Sequence, residues 1–191
     1  MTILSAQTQP LEDLVALAKR DPQCFGELYD LYFHKVYAFV YRRVSDRETA
    51  EDLTADAFVR ALRNLPNFEG NLTNFPAWLF RIAANIITDH YRASRHRAAP
   101  LEIDQWADEE AGPEEIAMLH AQAEDVRRAV RCLTPDQQDV VLMRFVSGLK
   151  LKEIATATGR TEQAVKSLMF RALSTLRRRF EERRELVREG I

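Results

Sequence analysis

Asp52 and Asp56 stand four residues apart, the spacing that places two carboxylates on one face of a helix, where they could share a proton or hold a metal ion. No Glu-x-x-His motif accompanies them, as a carboxylate-bridged metal pair would need, and Arg60 and Arg63 are close enough to form ordinary ion pairs. His34, His90, His96 and His120 lack metal-ligand spacing, Cys24 and Cys132 are far apart, and no glycine loop is built to cradle phosphate. No catalytic residue, metal or cofactor is therefore expected, and both cysteines are expected to be reduced and buried. Two other sets of residues carry more information. Trp78, Arg81, Asn85, Thr88, Arg92 and Arg95 form a stripe at helical spacing whose only nearby carboxylate is Asp89, a composition suited to stacking on unpaired bases beside a phosphate backbone. Gln163, Lys166, Ser167, Phe170, Arg171, Ser174, Arg177 and Arg178 line a second helical face, with groups for base edges followed by guanidiniums for phosphate.

The elements that position these sets are helices. Phe25, Leu28, Tyr29, Tyr32, Phe33, Val36, Tyr37 and Val40 recur at three and four, which predicts a core-facing helix. A second helix carries Ala50, Leu53, Ala57, Phe58, Ala61 and Leu62 on its inner side and ends near Leu65, before the loop LPNFEGNLTNF. A third starts at Pro76 and runs past Tyr91, burying Leu79, Ile82, Ala83, Ile86 and His90. Residues 98–112 have no period and read as a flexible connector able to reach about 50 Å. Helical pattern resumes at Pro113 with Ile116, Leu119, Ala123, Val126, Val130 and Leu133 as its core stripe. Thr134 and Pro135 start another helix, Gly148 breaks it, and a short helix with Leu151, Ile154 and Ala155 inward stops at Gly159. Thr161 then caps a long basic helix that buries Val165, Leu168, Met169, Ala172 and Leu176. A short helix, a glycine turn and a long basic helix make a helix-turn-helix.

Composition agrees. Of 191 residues, 46% are hydrophobic and 29% charged, with only 6 Gly and 7 Pro, which favours helix. No apolar stretch approaches a membrane span and the start, MTILSAQTQP, lacks the pattern of a signal peptide, so the chain is expected in the cytoplasm. The net charge of -2 conceals an asymmetry: residues 98–125 carry nine acidic and no basic side chains, whereas residues 126–191 carry 15 basic against 8 acidic. The expectation is an all-α chain of two small helical domains, 1–97 and 113–191, joined by a flexible acidic linker over 98–112, with a basic, DNA-facing second domain.

Three runs carry a family resemblance: FGELYDLYFHKVYAFVYRRVSDRETAEDLTADAFVRAL, FPAWLFRIAANIITDHYR and LTPDQQDVVLMRFVSGLKLKEIATATGRTEQAVKSLMFRAL. Together they resemble the sigma-70 family of bacterial RNA polymerase specificity subunits, and within it the small two-domain extracytoplasmic-function (ECF) group. The resemblance spans about Leu14 to Phe180 and implies a sigma factor: a region 2 domain, a linker and a region 4 helix-turn-helix. It implies that Glu51, Asp52, Asp56, Phe58 and Arg60 face core RNA polymerase at the clamp coiled coil of its largest subunit. Trp78, Arg81, Asn85, Arg92 and Arg95, with Asn67, Phe68 and Asn74 in the loop, would read and melt the -10 element of promoter DNA. Thr161, Gln163, Lys166, Ser167, Phe170, Arg171, Arg177 and Arg178 would read the -35 element as duplex. Leu168 and Phe170 depart from the family pattern, in which many members have a basic residue and a histidine or tyrosine at these positions. An anti-sigma factor is a further partner the family implies, and no extra C-terminal domain is expected after Phe180. The alternative reading is a stand-alone helix-turn-helix regulator that does not replace the resident sigma factor, and a more distant one an enzyme with a helical carboxylate site.

Overall fold

The structure, a computed structural model, describes residues 14–94 and 126–188, and among them there is no strand. The connector over 98–112, the helix start at Pro113 and Arg95 lie outside the described residues. Local chemistry sets the helix ends. Helix α1 (Leu14–Arg20) leads to a 3-10 turn at Pro22–Cys24, where the Asp21 carboxylate accepts from the Gln23 amide at 2.9 Å. Helix α2 (Phe25–Val44) stops at Ser45, which adopts a left-handed conformation at φ 58°. Asp46 then caps α3 (Arg47–Asn64), accepting from the Thr49 amide at 2.7 Å, and hydrogen bonds from Thr49 hold its carboxyl below the usual range. A second 3-10 turn at Leu65–Asn67 and a loop lead into α4 (Phe75–Ser94).

Helices α2, α3 and α4 pack on one another, with α1 laid against α2. Phe39, Phe75, Phe80, Leu28, Leu79 and Ile87 are among the largest fully buried side chains. Phe39 and Phe80 were not on the expected stripes; α2 and α4 each have neighbours on more than one side, so each buries more than one face. Conversely Tyr29 and Leu62, expected inward, are exposed. Tyr29 sits at the rim as the first ring of a ladder along α2, stacking on Phe33 at 5.0 Å, which continues to Tyr37 and Tyr41 at 6.0 Å each.

Beyond a helical stretch over 126–131 come α5 (Pro135–Phe145), α6 (Leu151–Thr158) and α7 (Glu162–Arg188). Thr134 starts α5 with a capping box: its hydroxyl accepts from the Gln137 amide, and the Gln137 side chain accepts from the Thr134 amide. The apolar stripe before it is shorter than expected. Val126 is exposed and burial begins at Ala129 and Val130. The cysteine expectation needs correction as well: Cys24 is half-buried and Cys132 exposed, its thiol directed to the Arg128 carbonyl one turn back, and both are free.

The sequence predicts two separate folded halves; in the structure they meet. One continuous buried cluster runs from Leu14 through α4 into Val140, Met143, Ile154 and Val165, and α4 packs along α6 while α2 meets α5. Arg43, 8% exposed, lies at this junction. Its Nε donates to Asp139 at 2.8 Å and a terminal nitrogen donates to the Gln138 side-chain oxygen at 2.5 Å. Its own carbonyl accepts from the Tyr91 hydroxyl, and its guanidinium lies 5.7 Å from the centre of the Tyr91 ring.

Candidate nucleic-acid and polymerase interface

On α3 the four-residue spacing gathers Asp52, Asp56 and Arg60 on one outward face, next to Glu51. Asp56 is bridged to Arg60 at 2.8 Å and Glu51 to Arg47 at 2.8 Å, both as i,i+4 pairs in water, whereas Asp52 makes no ion pair among the described residues. Each such surface pair contributes well under about 1 kcal/mol and exchanges readily for a partner's charge. Phe58 does not belong to this face. It is 4% exposed, with its ring against Tyr29 at 4.7 Å and Phe25 at 6.4 Å, because it falls with Ala50, Ala57 and Ala61 on the inner side of the helix. Its expected place on the polymerase-facing surface is corrected to a place in the core behind it.

The second set is built by the loop and α4. Asn67 and Asn74 are exposed. Asn71 shapes the turn, its side-chain oxygen accepting from the Thr73 amide at 3.0 Å. Phe68, expected with Asn67 and Asn74 to meet the -10 element, does not share their exposure. It is buried, tilted on Trp78 with ring centres 4.6 Å apart and edge-on to Phe75 at 6.0 Å, and its carbonyl accepts from Lys19. Gly70 makes this possible, since a Cβ there would sit 2.5 Å from the tip of the Phe68 ring. Phe68 is therefore corrected from a loop residue meeting the -10 element to the support on which the half-buried Trp78 rests. Along α4, Arg81, Asn85, Thr88 and Arg92 are exposed, with Arg92 near Asp89 at 3.6 Å. Arg81 and Asn85 form, with Ala84 and Thr88, one wall of a cleft of about 240 Å³; the other wall is Asp136, Asp139, Ala157, Thr158, Gly159 and Arg160.

The third set is positioned by the turn between α6 and α7. Gly159, at φ 65°, closes α6, and the Arg160 amide returns to the Ala155 carbonyl at 2.9 Å. Arg160 is itself tied to Asp136 at 2.6 Å, fixing the turn to the start of α5. Gly148, at φ 74°, makes the earlier bend. The Thr161 hydroxyl accepts from the Ala164 amide at 3.2 Å and starts α7. Val165, Leu168 and Ala172 face inward, leaving Thr161, Gln163, Lys166, Ser167, Phe170, Arg171, Arg177 and Arg178 on the open side. Phe170 is 73% exposed, so an apolar ring stands among polar groups. The Ser167 hydroxyl donates to the Gln163 carbonyl at 3.0 Å, which leaves its lone pairs outward. Arg177 is bonded to Glu181 at 2.9 Å, and that carboxylate raises its pKa above the ordinary arginine value.

Arg43 and Asp139 are the residues that sequence reasoning missed. Arg43 lies seven residues after Val36 and three after Val40, so a lone arginine on a core stripe was the available signal.

No helix among the described residues is long and apolar enough to cross a membrane. Two family models match the chain: Sigma-70 region 2 over residues 28–97, and Sigma-70, region 4 over residues 123–176. The ECF RNA polymerase sigma factor BldN of Streptomyces coelicolor is 39% identical over 160 residues, 83% of this chain, and the chain spans 61% of that relative's length. SigX of Bacillus subtilis, also an ECF RNA polymerase sigma factor, is 31% identical over 169 residues, covering 85% of this chain and 87% of the relative. Among solved structures, CnrH in complex with the cytosolic domain of CnrY aligns with a TM-score of 0.66 at 22% identity, over 91% of this chain and 99% of CnrH. RpoE of Bartonella quintana, solved with the anti-sigma factor NepR, gives a TM-score of 0.66 at 22% identity over 82% and 96% of the two chains. With both family models matched in order and SigX covered over most of its length, the chain belongs to the extracytoplasmic-function group of the sigma-70 family.

Proposed function

We propose that the chain binds core RNA polymerase and directs it to promoters, reading a -10 element with the α4 unit and a -35 element with α7, and that it makes no covalent bond itself. The observation that carries this reading is the outward face of α7. It is held by the Gly159 turn and the Thr161 cap with Gln163, Lys166, Ser167 and Arg171 together in its N-terminal half, where a recognition helix meets base edges. Arg177 and Arg178 lie two turns further on, where they suit phosphate. Family membership supplies the partner for the α3 face: Glu51, Asp52, Asp56 and Arg60 meet the polymerase clamp, with Phe58 stiffening the helix from behind. Trp78, Arg81, Asn85, Arg92 and Arg95, flanked by Asn67 and Asn74, handle the -10 strand, where an extruded base needs a stacking partner and phosphate contacts.

The domain division at 1–97, 98–112 and 113–191, the cytoplasm as the place of action, and an anti-sigma factor as a third partner belong to the same proposal. A stand-alone regulator would have no use for a region 2 unit. Run-off transcription with purified core polymerase on a genomic library tests the proposal: specific transcripts that require the chain are expected, and core polymerase that remains promoter-blind in its presence overturns it.

A further inference from the structure

Asn67 and Asn74 are exposed on a loop whose backbone between them is pinned from several sides. The Phe68 amide returns to the Leu65 carbonyl at 3.1 Å, and the Phe68 ring is buried against Phe75 and Trp78. Leu72 packs against the core, and the Asn71 side chain accepts from the amides of Thr73 and Asn74 at 3.0 and 3.3 Å. These anchors are local. Another reaches in from α1, 49 residues away in sequence: the Lys19 ammonium donates to the Phe68 carbonyl and stands 5.6 Å from the centre of the Phe68 ring. The Leu65 carbonyl and Lys19 thus take both backbone polar groups of Phe68, which sets the peptide planes on either side of it.

A lysine loses much rotamer freedom when its tip is held, and here two contacts converge on one loop residue to offset that loss. The base of the side chain is rigid as well. Helix α1 buries Leu14, Val15 and Ala18 and packs beside the Leu65–Asn67 turn, so Lys19 ties the loop to a fixed support. What it holds bears on DNA reading at two places. Asn67 immediately precedes the clamped residue, and the Trp78 ring rests on the Phe68 ring with centres 4.6 Å apart. A loop already fixed in its binding arrangement loses less freedom when a strand meets it, so slackening it costs affinity for the correct strand before it costs the fold.

We propose that Lys19 is a positioning residue for promoter reading: by clamping Phe68 it holds the loop before α4, and the Trp78 ring, in the arrangement that meets the -10 strand. The proposal rests on the assignment of that loop and Trp78 to the -10 element. It is tested with Lys19→Met, which keeps the apolar stem and removes the donor and the charge, in holoenzyme assembled from core polymerase and the full chain. Circular dichroism establishes folding, and Lys19→Gln takes the place of Lys19→Met if the latter does not fold. The DNA is a fork from a promoter recovered by run-off transcription, duplex at -35 and single-stranded over -10, set beside the same fork with a scrambled -10 strand. Lys19→Met should bind core polymerase as the wild type does and bind the matched fork roughly three- to tenfold more weakly, the effect of one ordinary hydrogen bond lost. Its binding of the scrambled fork should not change, and Lys19→Arg should recover most of the loss. With Trp106→Phe leaving Trp78 as the single tryptophan, acrylamide quenching of Trp78 should rise in Lys19→Met and not in Lys19→Arg. Equal weakening on both forks overturns the proposal and makes Lys19 a general stabilising residue. A salt slope lowered by about one also overturns it, since that is the mark of a direct phosphate contact. Loss of the matched-fork preference in Asn67→Ala and Asn74→Ala, with none in Lys19→Met, puts the fault in the positioning role; no loss in any of the three puts it in the assignment of the loop.

Discussion

Phe68 lies against Trp78, ring centres 4.6 Å apart and planes tilted by 30°, so one face of the indole is already taken by the protein. The ring is propped rather than swinging, which lowers the entropy lost when a base stacks on what remains open. Trp78→Ala should therefore keep duplex -35 binding and abolish open-complex formation, read by permanganate footprinting of the -10 region. Phe68→Leu should give a weaker version of the same defect, since it removes the support and not the stacking ring.

Charge reversal at Asp52 and Asp56 to Lys should weaken binding to core polymerase by one to two orders of magnitude in a pull-down titration, because like charges at an interface cost several kcal/mol. The fold should tolerate the change. Both side chains are at least partly exposed, and the i,i+4 pair lost between Asp56 and Arg60 contributes only about 0.3–0.5 kcal/mol.

Arg171 and Arg177 should separate base reading from phosphate contact. Arg171→Ala is expected to lose about 1 to 3 kcal/mol of -35 binding with an altered base preference. Arg177→Ala should weaken all -35 sequences alike and reduce the salt slope by about one. The bond from Arg177 to Glu181 does not protect against this, since both groups are exposed and phosphate competes with the carboxylate in water. Binding isotherms over a salt series and a panel of point-substituted -35 duplexes check both outcomes.

Asp46→Ala should lower unfolding free energy by about 0.5 to 2 kcal/mol, the usual cost of an N-cap, and Asp46→Asn by less. The pH dependence has a definite sign. The Thr49 hydrogen bonds depress the folded-state carboxyl, so the stabilisation is complete above the ordinary aspartate range and fades as pH falls through the depressed value. Urea titrations of wild type and Asp46→Ala at neutral pH and below pH 4 should therefore show the gap between them narrowing in acid.

The helices were legible because their ends carry local chemistry. Thr134, Gly159 and Thr161 act within three residues of themselves, and a period of three to four needs only one turn to declare itself. The α7 face was legible for the same reason. Phe68 was not, since a loop has no period and an aromatic ring there reads equally well as stacking partner or core. Phe58 carried two readings at once, on the inner stripe and beside the charged one, and burial decides between them. Val126 and Cys132 show how periodicity fails near an element's end, where a stripe continues past its partner. The junction of Arg43 with Asp139 spans 96 residues, and a lone arginine on a core stripe does not name its partner.

A core shared between halves changes what stability means for this chain. When Met143 and Ile154 belong to the same buried cluster as Phe39 and Phe80, the two halves are expected to melt as one unit, although Leu133, Val141 and Ala172 form a smaller cluster within the second half. Heat should dissolve both together, with calorimetric and van't Hoff enthalpies in agreement. Once separated, each half would be left with an apolar face uncovered and, being smaller, would bury a smaller fraction of its surface on folding. A substitution in α5 at this junction is then expected to lower the stability of α2 as well.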